Sequence, residues 1–287
     1  MSAAATMAGS WRQFWQRFNA RRSTTVALWT LALIVAATLL VPVFSPYDYS
    51  TPAWTRIFTA PTWRGGQLFG TDALGRDLLV RVMWGCRISL LVGLVASLVS
   101  VVIGVLWGAT AGYLGGRSDA LLMRAVDVLY SVPFIPLVIV LNVLFGRHLL
   151  LVFAGIGAVS WLDIARIVRG QTLAIRNREY IDAARALGVR APAMIRRHVI
   201  PNLLGIVIVY ATLTVPAVIL FEALLSFLGL GVQAPLASLG SLVAEGASEM
   251  QANPYLLIIP ALLLSLIVLC LNHLGDRLRD ALDPHEH

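Results

Sequence analysis

Long runs of apolar residues, separated by short polar stretches that carry most of the charges, dominate this chain. A membrane-spanning helix needs about 20 apolar residues to cross about 30 Å of hydrocarbon. The clearest run lies between Arg87 and Arg117 and contains no charged side chain. On this criterion we expect six spans, at about residues 26–44, 88–116, 128–145, 149–167, 203–228 and 255–273.

Three of these spans carry features that bear on their shape or role. Pro133 and Pro136 in the third should kink or restart its helix. The fourth is the weakest, because few residues separate His148 from Asp163. Glu222 interrupts the fifth and is the only acid that we place well inside a span, whereas Asp163 is expected near a span end.

The N-terminal residues place Trp11, Phe14, Trp15 and Phe18 at a spacing of three and four. This stripe fits a short helix on the headgroups, although it could also continue the first span. We expect a cytoplasmic tail with this helix at 1–25, the first span and an outer loop at 26–87, the transmembrane core at 88–275 and a cytoplasmic tail at 276–287. The first span is long and lacks a cleavage site, which indicates a retained anchor rather than a signal peptide.

Composition supports an integral membrane protein. Hydrophobic residues make up 58% of the 287 residues, charged residues only 13%, and mean hydropathy is +0.80. The net charge of +7 comes from arginine alone, and no nucleic-acid motif accompanies it. We therefore expect contact with lipid headgroups and none with nucleic acid. Two isolated cysteines, Cys86 and Cys270, predict neither a disulfide framework nor a metal site.

The placement of the arginines predicts which way the chain faces. Cytoplasmic loops carry an excess of basic residues, and eight arginines lie between Arg166 and Arg197, whereas residues 229–254 contain none. This favours cytoplasmic N- and C-termini. The loop at 45–87 conflicts with this rule, because the prediction places its five arginines outside the cell. They are Arg56, Arg64, Arg76, Arg81 and Arg87.

One polar passage interrupts the apolar pattern, at residues 179–201, EYIDAARALGVRAPAMIRRHVIP. Its first residues suit a helix that Gly188 should end, since glycine readily takes the left-handed conformation. Pro192 fits the first turn of a second short helix, and Pro201 marks the entry to the fifth span. We expect a helix, a glycine corner and a helix outside the membrane, with Ala183 and Ala184 offering a smooth contact surface.

This passage resembles the EAA motif of bacterial ABC importer permeases. Asp182-Ala183-Ala184, Gly188 and Ile200-Pro201 fall at the spacing of that motif, with Asp182 in place of glutamate, Ile200 in place of leucine and His198 in place of an aliphatic residue. LFGTDALGRDLLVRVMWGCRISL, SFLGLGVQAPLASLGSLVAEG and NHLGDRLRDALDP are similar to C-type permeases of the dipeptide, oligopeptide and nickel group. The resemblance implies an all-α polytopic bundle with a MetI-like type I core.

In that family the motif forms a coupling helix that docks into a groove on an ATPase subunit, and the resemblance implies a coupling loop at 176–201 within the transmembrane core. The resemblance implies this role for Glu179, Tyr180, Asp182, Ala183, Ala184, Arg185, Leu187, Gly188, Arg196 and Pro201. It also implies three kinds of partner: a second homologous permease, two ATP-binding subunits and an extracytoplasmic binding protein. The partner ATPases would hold ATP and Mg²⁺, and we expect no cofactor on this chain.

The residues themselves leave the energy source and the cargo open. No phosphate-binding loop occurs, so this chain is not expected to be the nucleotide hydrolase. The sequence also contains no intramembrane protease motif, so we do not expect an enzyme. An ion-coupled secondary transporter is the alternative. Peptide is the favoured cargo, with nickel or another small solute still possible. For the translocation path we name Glu222, Ser131 and Asn142, although Glu222 could instead shape the bundle.

Overall fold

The computed structural model describes residues 21–63, 66–145 and 149–282, which form helices joined by loops. The aromatic stripe predicted at 11–18 and Arg64 lie outside these ranges. Within them, β-pairing is limited to two isolated bridges, Thr62 with Gln67 and Thr71 with Asp77. The helices are α1 Arg22–Phe44, α2 Leu78–Leu114, α3 Gly116–Ser131, α4 Phe134–Phe145, α5 Leu149–Arg176, α6 Glu179–Ala186, α7 Ala191–Phe227, α8 Leu239–Ser248 and α9 Tyr255–Leu282.

A helix occupies each of the six predicted spans. Of the described helices, four are long and apolar enough to cross a membrane, namely α1, α2, α7 and α9, and a fifth crossing results if α3 and α4 count as one span. These two helices meet at 79°, around Pro133, as the proline-kink prediction requires. Helix α5 covers the fourth predicted span and carries Asp163, Arg166 and Arg169 in its second half.

Helix α2 runs through the bundle and contacts α5, α7 and α1. Its 37 residues give it a length of about 55 Å, more than the thickness of the hydrocarbon layer. It starts at Leu78, where the Asp77 carboxylate accepts a hydrogen bond from the Val80 amide at 2.9 Å and caps the helix. The sequence predicts a boundary at residue 87 between the outer loop and the second span. In the structure this residue lies inside a continuous helix.

Glycines bring α2 and α5 into close contact. A Cβ atom added at Gly104 would lie 2.7 Å from the Cβ of Ile164, and one at Gly112 would lie 2.7 Å from the Cβ of Thr172. Gly108 likewise packs against the α5 backbone. Small residues at this spacing let two helix backbones approach, so these glycines account for the close contact between α2 and α5.

At one end of the bundle, α8 packs against the loop before α2, which we call the 46–77 segment. Arg81 donates hydrogen bonds to Asp72 at 2.7 Å and to both carboxylate oxygens of Glu245 at 2.7 and 3.0 Å. Arg76 pairs with Asp72 at 2.7 Å. Only 2% of the Arg81 side chain is exposed. These carboxylates neutralise Arg76 and Arg81, two of the five arginines whose predicted position outside conflicts with the positive-inside rule.

Two further arginines of the predicted 45–87 loop interact with neutral groups. Arg87 donates to the Thr38 carbonyl at 2.6 Å and stacks on the Trp84 ring at 4.3 Å. Arg56 lies 5.5 Å from the centre of the Tyr47 ring. Cation–π contact stabilises a guanidinium without a carboxylate, so these charges are also accommodated locally.

Candidate functional site

Helix α6 is amphipathic, and one of its faces is part of the protein core. Ile181 is fully buried and Ala184 is 9% exposed. Both belong to a cluster that includes Tyr113 from α2, Ile175 from α5 and Met194 from α7. Helix α6 is therefore attached to the bundle through apolar packing and is more than a free surface loop.

A glycine ends α6 as the sequence predicts. Gly188 has a φ of +81°, the left-handed region that side chains with a Cβ rarely adopt. The Gly188 amide donates to the Arg185 carbonyl at 3.0 Å, and the Val189 amide donates to the Ala184 carbonyl at 3.2 Å. This pair of bonds is the Schellman ending of a helix, and it turns the chain towards α7.

The outer face of the segment carries most of the residues predicted for coupling. The exposed ones are Glu179, Tyr180, Asp182, Ala183, Arg185, Leu187, Gly188, Arg196 and Pro201. Leu187 is 85% exposed, which is unusual for a leucine at a helix end. Ala184 differs, because it faces the core. The expectation that Ala183 and Ala184 form one contact surface is thus wrong for Ala184, and Ala183 alone faces outward.

Ion pairing on this face is local. Arg185 donates to Asp182 at 2.7 Å, one turn earlier on the same helix, and its guanidinium lies 6.0 Å from the centre of the Tyr113 ring. Both charged side chains are about half exposed. Such an exposed pair contributes little to stability, so both groups remain accessible to a partner.

The second predicted helix of the passage is continuous with the next span. Helix α7 starts with Pro192 in its first turn and runs to Phe227. Between Ile195 and Val199 it forms a π-helical turn, in which the Ile200 amide donates to the Ile195 carbonyl. This turn directly precedes Pro201, which lacks an amide hydrogen and disturbs regular helix. Nothing in the sequence indicated the π-turn.

Glu222, one of the predicted path residues, lies in a buried polar network. It is fully buried. Its carboxylate accepts hydrogen bonds from Ser226 at 2.6 Å and from Ser89 at 2.9 Å. Ser238 donates to Ser226 at 3.1 Å, and the Leu239 amide donates to Ser89 at 3.2 Å. The geometry thus favours the alternative role, in which Glu222 ties α7, α2 and the start of α8 together.

The structure describes less about the other two residues predicted for the translocation path. Ser131 is exposed at the end of α3, and its hydroxyl donates to the Val128 carbonyl at 2.7 Å. Asn142 belongs to α4, but its side chain lies outside the described part of the structure. Their place on a translocation path stays a prediction.

A cavity that the sequence did not predict opens between α3, α5 and α7. It has a volume of about 350 Å³ and contains Asp163, whose carboxylate accepts a hydrogen bond from the Tyr130 hydroxyl at 3.1 Å. Beside it, Arg166 stacks on Tyr130 and pairs with Asp127 at 2.9 Å. Asp163 was expected near a span end, but α5 continues past it to Arg176. The overlooked signal is the helical pattern beyond residue 167.

Known families match nearly the whole chain. Residues 100–286 match the family described as "Binding-protein-dependent transport system inner membrane component". Residues 9–61 match the family described as "N-terminal TM domain of oligopeptide transport permease C". The division between the two matches agrees with an additional N-terminal span placed ahead of a permease core.

Several curated proteins are similar over almost their full length. The oligopeptide transport system permease protein OppC of Haemophilus influenzae is 49% identical over 276 residues, which cover 96% of this chain and 89% of the relative. OppC of Escherichia coli K12 is also 49% identical, with 96% and 91% covered. The dipeptide transport system permease protein DppC of Bacillus subtilis is 41% identical, with 94% and 84% covered.

A solved structure shares the fold. The MetNI methionine ABC transporter, in inward-facing conformations, aligns with a TM-score of 0.56 and 22% identity. The alignment covers 70% of this chain and 96% of that chain. At this identity the likeness concerns the fold alone, and it agrees with the MetI-like core expected from the sequence.

Proposed function

The chain belongs to the family of binding-protein-dependent transport system inner membrane components, and from this membership we propose that it carries short peptides across the plasma membrane. It does so as the C-type permease subunit of an ATP-driven importer. The cargo follows from the relatives, whose names are oligopeptide and dipeptide permeases. Alternating access of the helix bundle moves the peptide.

The partners follow from the same proposal. A second homologous permease completes the pathway, an extracytoplasmic binding protein delivers the peptide, and two ATPase subunits supply the energy and hold ATP and Mg²⁺. The full sequence contains no phosphate-binding loop, so the energy must enter from outside this chain.

The two-faced packing of α6 is the observation that carries the coupling role. Its outer face offers Tyr180, Ala183 and Leu187 to a partner, while its inner face belongs to a cluster shared by α2, α5 and α7. Protein interiors are close-packed and transmit displacement. A push on the outer face would therefore move three of the helices together.

The charge distribution supports the orientation in this proposal. The end with α6 carries the arginine-rich loop and faces the cytoplasm, together with both termini. The opposite end carries the 46–77 segment and α8, and it faces the binding protein. The arginines at this end are compatible with that side, because Arg76 of the 46–77 segment and Arg81 of α2 are paired with carboxylates.

Uptake by the complete transporter tests this function. All subunits are reconstituted in vesicles with the binding protein, and accumulation of a radiolabelled tripeptide is followed with and without ATP. We expect uptake that requires ATP and the binding protein and is insensitive to a dissipated ion gradient. Uptake driven by an ion gradient without ATP would contradict the proposal, as would uptake of nickel or another solute in place of peptide.

A further inference from the structure

Asp163 lies at mid-depth in the bundle. Ile164, its neighbour on α5, contacts Gly104, which lies near the middle of the charge-free run 88–116 on α2. On α7, the same cavity is lined by Tyr210 and Thr214, which lie between the arginines near the start of that helix and Glu222 near its end. Asp163 is exposed on the surface of the single chain.

A carboxylate at this depth needs a polar environment, because an ionisable group facing hydrocarbon is costly and usually marks a substrate or ion pathway. Tyr130 supplies one hydrogen bond, at 3.1 Å. Within residues 21–63, 66–145 and 149–282, no arginine or histidine nitrogen lies within 4.0 Å of the Asp163 carboxylate. The Asp163 surface must therefore meet water, a partner subunit or cargo rather than lipid.

The local charge balance favours a cationic ligand. Arg166 is committed to Asp127 at 2.9 Å and to the ring of Tyr130 at 4.3 Å. With two carboxylates and one guanidinium, this group has a formal excess of one negative charge, carried by Asp163. The remaining lining is mostly apolar and includes Phe134 and Phe221. A small cavity with one carboxylate and aromatic walls suits an ammonium group attached to an apolar body.

We infer that the Asp163 carboxylate binds a primary ammonium group of the cargo as it passes the middle of the membrane. The inference rests on the proposed peptide transport, which supplies such groups as the peptide α-amine or as a lysine side chain. Asp163 replaces part of the hydration that the ammonium loses at this depth. Tyr130 orients the carboxylate, and Arg166 balances the charge of Asp127.

Protection of a cysteine in the cavity tests this site. Thr214→Cys is introduced into the full transporter, and its rate of reaction with a polar maleimide is measured in detergent. The peptides are an alanine tripeptide, its N-acetylated form, and an N-acetylated form with one lysine. We expect the first to slow labelling and the second to require about tenfold higher concentration, as expected for one lost charged hydrogen bond. Protection by the third would identify the lysine side chain as a second source of the ammonium.

Variants separate the site from the charge of its surroundings. Asp163→Asn should reduce the effect of the free-amine peptide to that of the N-acetylated one, and Asp163→Glu should restore part of it. Asp48→Asn removes an equal charge outside the cavity lining, where the carboxylate bonds with Ser50 and Thr51, and should retain the difference between the peptides. The inference is overturned if all peptides protect equally in the unmodified site, if none protects, or if Asp163→Asn keeps the distinction.

Failure of this inference can be distinguished from failure of the proposed function. If the unmodified transporter accumulates peptide in vesicles but the cavity shows no preference for a free amine, only the Asp163 site fails. If it accumulates no peptide under any condition, the proposed cargo fails. Loss of assembled transporter in Asp163→Asn would assign the carboxylate to the contact with the second permease and would also overturn the inference.

Discussion

Arg81 lies almost fully buried between two carboxylates, Asp72 from the preceding loop and Glu245 from α8. Asp72 is 5% exposed and also pairs with Arg76, whereas Glu245 is about half exposed. Removing one partner of a buried charge pair is costly because the other charge is left without compensation. An exposed partner matters less, because water can replace it.

Asp72→Asn should therefore destabilise the protein by about 3 kcal/mol, and Glu245→Gln by about 1 kcal/mol or less. The unfolding midpoint of the purified protein in detergent measures both effects. Asp48→Asn is a matched control, since Asp48 is exposed in the same segment and its carboxylate bonds with the nearby Ser50 and Thr51. Equal midpoints for Asp72→Asn and Asp48→Asn would contradict this account.

Gly188 is a second residue whose identity follows from its geometry. A Cβ added there would meet nothing within 4 Å, so the constraint is its φ of +81° alone. Gly188→Val should cost about 1–2 kcal/mol at the corner and lower peptide uptake. Gly188→Asn should keep most of the uptake, because asparagine tolerates the left-handed region. If both variants transport equally well, the conformation of the corner does not matter for coupling.

At the residue scale, local patterns predict what is local. The corner at Gly188 follows from a helix-forming stretch that ends in glycine, and the structure confirms it. The partners of Arg81 could not be predicted, because Glu245 is 164 positions away. Ala184 was misplaced for a related reason. Which alanine faces the core depends on how α6 is rotated against Tyr113 and Ile175, and nothing within the helix determines that.

Helix α2 and helix α5 form the most extensive helix pair among the described elements. Glycines of α2 allow this contact, and tight packing leaves no room for added atoms. A Cβ at Gly108 would lie 2.9 Å from the Cβ of Val168 and would press against the Ala165 carbonyl. By contrast, a Cβ at Gly170 on α5 would meet nothing within 4 Å.

Gly108→Ala should therefore destabilise the protein by about 1–3 kcal/mol through overpacking. Gly170→Ala should be neutral or stabilising by up to about 1 kcal/mol, because alanine favours helix over glycine. Thermal unfolding of the two purified variants, side by side, measures the difference. A Gly108→Ala protein at least as stable as Gly170→Ala would show that the α2–α5 contact is looser than described.

At the element scale, charge-free runs found the helices but misjudged their ends. Helix α2 starts at Leu78 rather than near residue 88, because Arg81 and Arg87 have hydrogen-bond partners inside the fold. Helix α5 runs to Arg176, because Arg169 pairs with Asp119 on α3 at 2.6 Å. A charged residue ends an apolar run in the sequence. It does not end a helix when a neighbouring helix provides its partner.

On the scale of the whole molecule, three features are connected through packed helices. The exposed face of α6 is at one end, its buried face joins α2, α5 and α7, and those helices surround or adjoin the cavity with Asp163. A displacement at α6 would therefore reach the cavity through packed side chains. Sequence motifs predicted the coupling helix and the family. They did not predict the cavity, because residues from three separate helices line it.

In the proposed transporter, an ATPase subunit drives the bundle through the outer face of α6. Ala183 is its most direct probe, because it is exposed, small and close to Tyr180 and Leu187 on the helix surface. Glutamate at this position would be tolerated by the isolated fold, since the side chain points outward. It would add bulk and charge where a partner surface must approach closely, whereas serine would add neither.

The decisive measurement is ATP-dependent peptide uptake by reconstituted transporters that carry Ala183→Glu or Ala183→Ser, normalised to the amount of assembled complex. We predict that Ala183→Glu lowers uptake at least about tenfold, equivalent to about 1.4 kcal/mol of coupling lost, with unchanged thermal stability of the permease. Ala183→Ser should transport like the unmodified protein. Normal uptake by Ala183→Glu would contradict the coupling role of α6.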